Sequence, residues 1–93
     1  MNRLSDEQVK EELEKIGDWM FTEDGEISRQ YRFNNFVKAI EFVNKVAELA
    51  EELGHHPDIV INYNRVTLSV ITHDAGGITE LDIELAKRCN GLL

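Results

Sequence analysis

One stretch limits the fold more than any other: from Asp58 to Thr72 apolar and polar residues alternate, and the parity of the apolar positions switches once, across Asn64-Arg65. β-branched and aromatic residues in such alternation read as two strands, and a parity switch over two polar residues predicts a tight hairpin turn. Ile59, Ile61, Tyr63, Val66, Leu68, Val70 and Thr72 then share one face, and Asp58, Val60, Asn62, Thr67, Ser69, Ile71 and His73 the other. Only the first face is apolar enough to bury, so helices must cover that side and leave the other comparatively open. With Tyr63 facing Val66 across the turn, the same register carried down the ladder sets His56 opposite His73, with Cβ atoms about 5 Å apart if pairing persists past Pro57.

The flanking segments supply the helices. Ser5 followed by Gln8 matches a capping box, Leu4 and Val9 form the staple across it, and Val9, Leu13 and Ile16 give a buried stripe that Gly17 ends. Thr79 with Asp82 and Ile78 with Ile83 repeat both signals before a last helix whose inner face is Leu81, Leu85, Ala86 and Cys89. Between them, Asn34 or Asn35 caps a long helix ending at Gly54, with Phe36, Ile40, Val43, Ala47 and Ala50 as its expected buried stripe. A second stripe, Phe42, Val46, Leu49 and Leu53, widens the apolar arc and calls for a further contact, within the chain or with a second copy. Trp19 to Phe21 and Ile27 to Phe33, around Asp24-Gly25, read as a first hairpin. The expectation is an α+β domain over residues 1–93, in the order α-β-β-α-β-β-α, with a four-stranded antiparallel sheet and three helices on one face.

Charge narrows the partners. Ten basic against eighteen acidic side chains leave a net charge of −8, so a phosphate-binding surface would work against the field of the whole molecule, and no nucleic acid is expected. No apolar run is long enough to span a bilayer, so no membrane is expected either. The opening residues resemble no secretory signal and the single Cys89 cannot close an internal disulfide, which makes a reducing cytoplasm the expected setting.

The chemistry gathers at the chain's three histidines. His55 and His56 follow the long helix and His73 follows the last strand, and an unperturbed imidazole gives or takes a proton near neutrality. Glu51, Asp58 and Asp74 are carboxylates near enough in sequence to orient them. Adjacent histidines also serve simply to satisfy the carbonyls of a helix end. The spacing matches no metal-ligand pattern, so no metal is expected; Ser69 has no recognisable oxyanion loop for a hydrolase triad, and Cys89 belongs to a buried stripe.

At Glu51, His55-His56-Pro57, Tyr63-Asn64, Val66, Leu68, Thr72-His73-Asp74, Gly77, Thr79 and Asp82 the sequence resembles the pterin-4a-carbinolamine dehydratase family. The likeness runs through nearly the whole chain. It implies a cofactor-free dehydratase that removes water from a 4a-hydroxytetrahydropterin to give the quinonoid dihydropterin released for reuse by aromatic amino acid hydroxylases. It further implies that His55, His56 and His73 contact the pterin, with His55 and His73 moving protons and His56 binding, and that Glu51, Pro57, Thr72, Asp74, Asp82 and Trp19 contribute to substrate binding. A homodimer or homotetramer follows from the family habit. Ile59 stands where many members carry tryptophan, a difference in pocket shape or packing. Some relatives act instead as dimerisation or assembly modules, and a noncatalytic pterin binder would use the same pocket; the retained histidines favour the enzyme.

Overall fold

Side-chain caps start the helices of this protein. The structure, a computed structural model, describes residues 2–93. In α1 (Asp6–Ile16) the Ser5 hydroxyl accepts from the Gln8 backbone N–H while the Gln8 side chain accepts from that of Ser5, closing the expected capping box. Asn35 caps α2 (Phe36–Leu53), and Thr79 with Asp82 forms a second capping box on α3 (Glu80–Asn90). These bonds replace partners that first-turn N–H groups lack within the helix.

The strands β1 (Met20–Phe21), β2 (Ile27–Arg32), β3 (Asp58–Asn62) and β4 (Arg65–Val70) form one antiparallel sheet in the order β1-β2-β4-β3. Ile27 and Tyr31 of β2 and Val66, Leu68 and Val70 of β4 are buried in one core with residues of all three helices. Ser28, Gln30, Thr67 and Ser69 alternate with them on the opposite, more open face, as the polar half of the pattern requires.

Two expectations need correction. The β3–β4 turn lies at Tyr63-Asn64, not Asn64-Arg65: Asn62 pairs with Arg65 and Ile61 with Val66. The cause is distant in sequence. The Phe33 backbone N–H donates to the Asn64 carbonyl at 2.8 Å and the Asn64 side-chain amide donates to the Phe33 carbonyl at 2.9 Å, which continues the β2–β4 ladder and draws Asn64 to the base of β4. The turn therefore closes one residue earlier, with Tyr63 at φ 54°. A displacement of the pairing by two positions preserves the face parity of the paired residues, but Tyr63 passes into the turn and is 68% exposed and Ile61 is 38% exposed, so the helices do not bury this end of β3 as expected. The opposition of His56 and His73, both of which lie beyond the paired residues, is lost.

The second correction concerns α2. Its buried stripe is Ala39, Phe42, Val46, Leu49 and Ala50, so the stripe expected to be secondary is the inner one. Phe36 and Val37 are 48% and 66% exposed, Ala47 is exposed, and Ile40 and Val43 are half-buried. Tyr31 and Phe33 explain the choice, because both rings pack against Phe42, with centroids 4.5 and 5.1 Å away.

At the far end of α3 one side chain ties the helix to β2 and to the segment that precedes β1. Asn90 Oδ1 accepts from Trp19 Nε1 at 2.9 Å, Arg29 at 2.6 Å and the Tyr31 hydroxyl at 2.6 Å, while the Arg29 guanidinium sits 4.1 Å above the Tyr31 ring. Burial pushes the Tyr31 phenol up to about 12 from an ordinary 10.0, against the lowering effect of Arg29, and pushes the Cys89 thiol up to about 11 from 9.0. The folded state thus keeps protons that the unfolded chain sheds, so this contribution to stability is intact below about pH 9 and is lost as pH rises, first through Cys89 and then through Tyr31. The urea midpoint should fall steadily between about pH 9 and pH 11; a flat profile would show that folding does not hold these groups neutral.

Candidate active site

His55 is delivered by the end of α2. Gly54 takes the left-handed conformation, φ 65° and ψ 31°, its N–H donates to the Glu51 carbonyl at 3.2 Å, and the N–H of His55 returns to the Ala50 carbonyl at 3.0 Å. This pair of bonds is a Schellman ending, which glycine adopts without a Cβ penalty. It turns the chain sharply, so that the imidazole of His55 meets the first turn of α3.

There Nε2 of His55 lies 2.5 Å from Oδ1 of Asp82. The Asp82 side chain is fully buried and that of His55 is 13% exposed. The other carboxylate oxygen, Oδ2, accepts from the Thr79 backbone N–H at 2.8 Å and from the Thr72 hydroxyl at 2.7 Å. Thr72 and Thr79 hydroxyls are 2.9 Å apart, and Thr79 Oγ1 accepts from the Leu81 N–H at 3.3 Å. A carboxylate buried without lysine or arginine needs such compensation; here hydrogen bonds and the positive end of α3 supply it.

His56 is in a different environment. Its Nε2 lies 2.5 Å from Oε2 of Glu51, and the two side chains are 61% and 77% exposed. His73 opens a 3-10 turn, His73–Ala75, beyond the end of β4. Mutual backbone bonds between Thr72 and Gly77 pinch this loop shut, which leaves His73 and Asp74 exposed at its tip. Pro57 is half-buried between His56 and β3. Trp19 sits at the other end of α3, about 12 Å along the helix from Asp82 to its partner Asn90, and is buried in the core.

The structure therefore joins His55, Thr72 and Asp82, pairs His56 with Glu51, and leaves His73 and Asp74 exposed on an adjacent loop, without a side-chain partner among the described residues. The seam between the end of α2 and the start of α3 gathers these groups, at the end of the sheet, whereas the sequence pattern placed them on its open face. Thr79 is the one member that the sequence suggests only as a cap; the signal was its capping box with Asp82. Among the described residues no three His, Cys, Asp or Glu side chains come together as a metal site would need. A cleft of about 600 Å³ between α1 and α3 has Leu4, Ile16 and Ile83 in its wall and no histidine.

The family model described as pterin 4 alpha carbinolamine dehydratase matches residues 2–92. The chain belongs to that family. Relatives bearing the dehydratase name include one from Gloeobacter violaceus, 55% identical over 89 residues that cover 92% of this chain and 97% of the relative. One from Chloroflexus aurantiacus is 55% identical over 93 residues, covering 100% and 99%. A crystal structure described as a transcriptional coactivator/pterin dehydratase from Brucella melitensis superimposes with a TM-score of 0.94 at 36% identity, over 98% of each chain. A pterin dehydratase-like protein identified as a RuBisCO assembly factor in the alpha-carboxysome reaches 0.70 at 22% identity, over 82% of this chain and 89% of its own, and shares the fold.

The candidate site contains two histidine–carboxylate pairs of unlike worth. Asp82→Ala removes the N3 half of the capping box and strands the Thr79 N–H, the Thr72 hydroxyl and His55, and should cost about 2–4 kcal/mol in urea unfolding. Glu51→Ala breaks an exposed pair and should change stability by less than about 0.5 kcal/mol. Equal losses would contradict this assignment.

Proposed function

We propose that this protein dehydrates a 4a-hydroxytetrahydropterin to the quinonoid dihydropterin, by histidine acid-base catalysis and without a cofactor. The observation that carries the reading is the His55–Asp82 pair in a chain of the dehydratase family. Bond making and breaking balance without redox change. The C4a–O bond breaks as the leaving hydroxyl takes a proton and departs as water, the adjacent ring nitrogen gives up its proton, and its electron pair forms the new C=N bond. One acid and one base suffice, and over a full cycle the imidazoles return to their starting states.

His55 and His73 are assigned these proton transfers, His55 braced by Asp82 from behind and His73 exposed on its loop. His56, with Glu51, binds and orients the pterin. Pro57 and Asp74 flank the imidazoles, Thr72 acts through Asp82, and Trp19 supports the site from the core. The enzyme then serves the aromatic amino acid hydroxylases that release the carbinolamine, in a reducing cytoplasm suited to an unpaired Cys89. In an ultraviolet stopped-flow assay on synthetic carbinolamine, His55→Ala and His73→Ala should each lower turnover by about 10²-fold or more while the chain still folds. Near-normal turnover in the double variant would overturn the reading.

The outer stripe of α2 favours a second property. Phe36, Val37, Ile40, Val43 and Ala47 form an apolar strip that the rest of the chain leaves exposed or half-exposed, and self-association would bury it in a homodimer or homotetramer. Light scattering at tens of micromolar should give a mass of two or four chains, and Val37→Glu should lower it; a monomeric wild type would defeat the proposal.

A further inference from the structure

The hydroxyl groups behind Asp82 have a direction. Leu81 N–H donates to Thr79 Oγ1, so that hydroxyl must send its own proton elsewhere, and Thr72 Oγ1 at 2.9 Å is nearer than Asp82 Oδ2 at 3.4 Å. Thr72, having accepted, sends its proton to Asp82 Oδ2 at 2.7 Å. The Thr79 backbone N–H, which can only donate, lands on the same oxygen at 2.8 Å. All the protons point one way, from the start of α3 toward the carboxylate.

A reversed chain has poorer geometry. If Asp82 gave a proton to Thr72, the Thr72 proton would pass to Thr79, and the Thr79 proton would have only the oxygen at 3.4 Å to go to. The remaining oxygen, Oδ1, faces only Nε2 of His55. As an acceptor it selects the imidazole tautomer with hydrogen on Nε2. Among the described residues Nδ1 has no hydrogen-bond partner, and no buried side-chain nitrogen or oxygen is left without one. Nδ1 therefore lies on the accessible side of the ring.

We propose that the Thr79–Thr72 hydroxyl pair is a positioning device for His55: it aims its protons at Asp82, holds the imidazole as the Nε2–H tautomer, and leaves Nδ1 as the atom that exchanges protons with substrate. The proposal rests on the reading of His55 as a proton-transfer group, but its tautomer half can be measured without any substrate. Neither threonine touches substrate in this scheme. The pair matters because a carboxylate free to rotate or to take up a proton would no longer distinguish the two ring nitrogens.

The test uses the intact protein with ¹⁵N-labelled histidine. At about pH 8.5, well above the ordinary histidine value near 6.5, long-range ¹H–¹⁵N correlation spectra of the wild type should show His55 as the Nε2–H tautomer. A principal Nδ1–H form would overturn the proposal at once. Thr72→Val keeps the side-chain shape and removes the donor; it should give a mixed tautomer and about a tenfold lower kcat, the lower range for losing a hydrogen bond to a charged group, with KM within about twofold. Thr72→Ser should restore both the tautomer and kcat. If the valine variant fails to fold, Thr72→Ala takes its place under the same readouts. An unchanged tautomer and kcat in the hydroxyl-free variant would refute the device. A shifted tautomer in a protein whose wild type turns over no carbinolamine would leave the device standing and remove the dehydratase reading instead.

Discussion

The carboxylate of Asp82 is the constraint around which the rest is arranged. It is fully buried and, among the described residues, is paired with no lysine or arginine, so it must be surrounded by donors. Three segments meet to provide them: the end of α2 through His55, the exit of β4 through Thr72, and the first turn of α3 through Thr79. Each is fixed by its own local device, a Schellman ending, a pinched loop and a capping box. Their convergence joins helix, sheet and candidate site in one network, and that network explains how a small core can hold a loop-borne imidazole in place.

The three histidines differ in the freedom their surroundings leave them. His55 is held by buried groups through Nε2. His56 pairs with an exposed carboxylate that water also solvates, so its orientation is softer. His73 is presented on a short closed loop, exposed and with no side-chain partner among the described residues. Under the proposed reaction such inequality is useful, because the rigid member would set the geometry while the exposed one follows the substrate.

Much of this was legible in the sequence wherever the cause was local. Ser5 with Gln8 and Thr79 with Asp82 announce helix starts because capping bonds span three residues. The buried faces of β2 and β4 were readable because parity is a property of neighbouring positions, whereas β3, at the sheet edge, buries neither face. The turn at Tyr63-Asn64 was not, since the bonds that decide it come from Phe33, thirty-one positions away. The inner stripe of α2 was also ambiguous: periodicity shows how wide an apolar arc is, whereas the rings of Tyr31 and Phe33 determine which part of it is covered. At the site, residue types marked His55 and Asp82 separately, but their contact spans twenty-seven positions and depends on how α3 docks. Asn90, polar and near the chain's end, carried no signal for its place among Trp19, Arg29 and Tyr31.

Asp82 caps a helix and orients an imidazole with the same two oxygens, and this shared duty shapes how such a chain can diverge. Selection for folding alone would retain Asp82, Thr79 and Thr72 in a descendant that no longer handles any substrate. His73, His56 and Glu51 stand exposed and support little else, so drift would erase them first. The loss of chemistry in such lineages should therefore proceed from the surface inward, with a buried carboxylate persisting as a relic of the site.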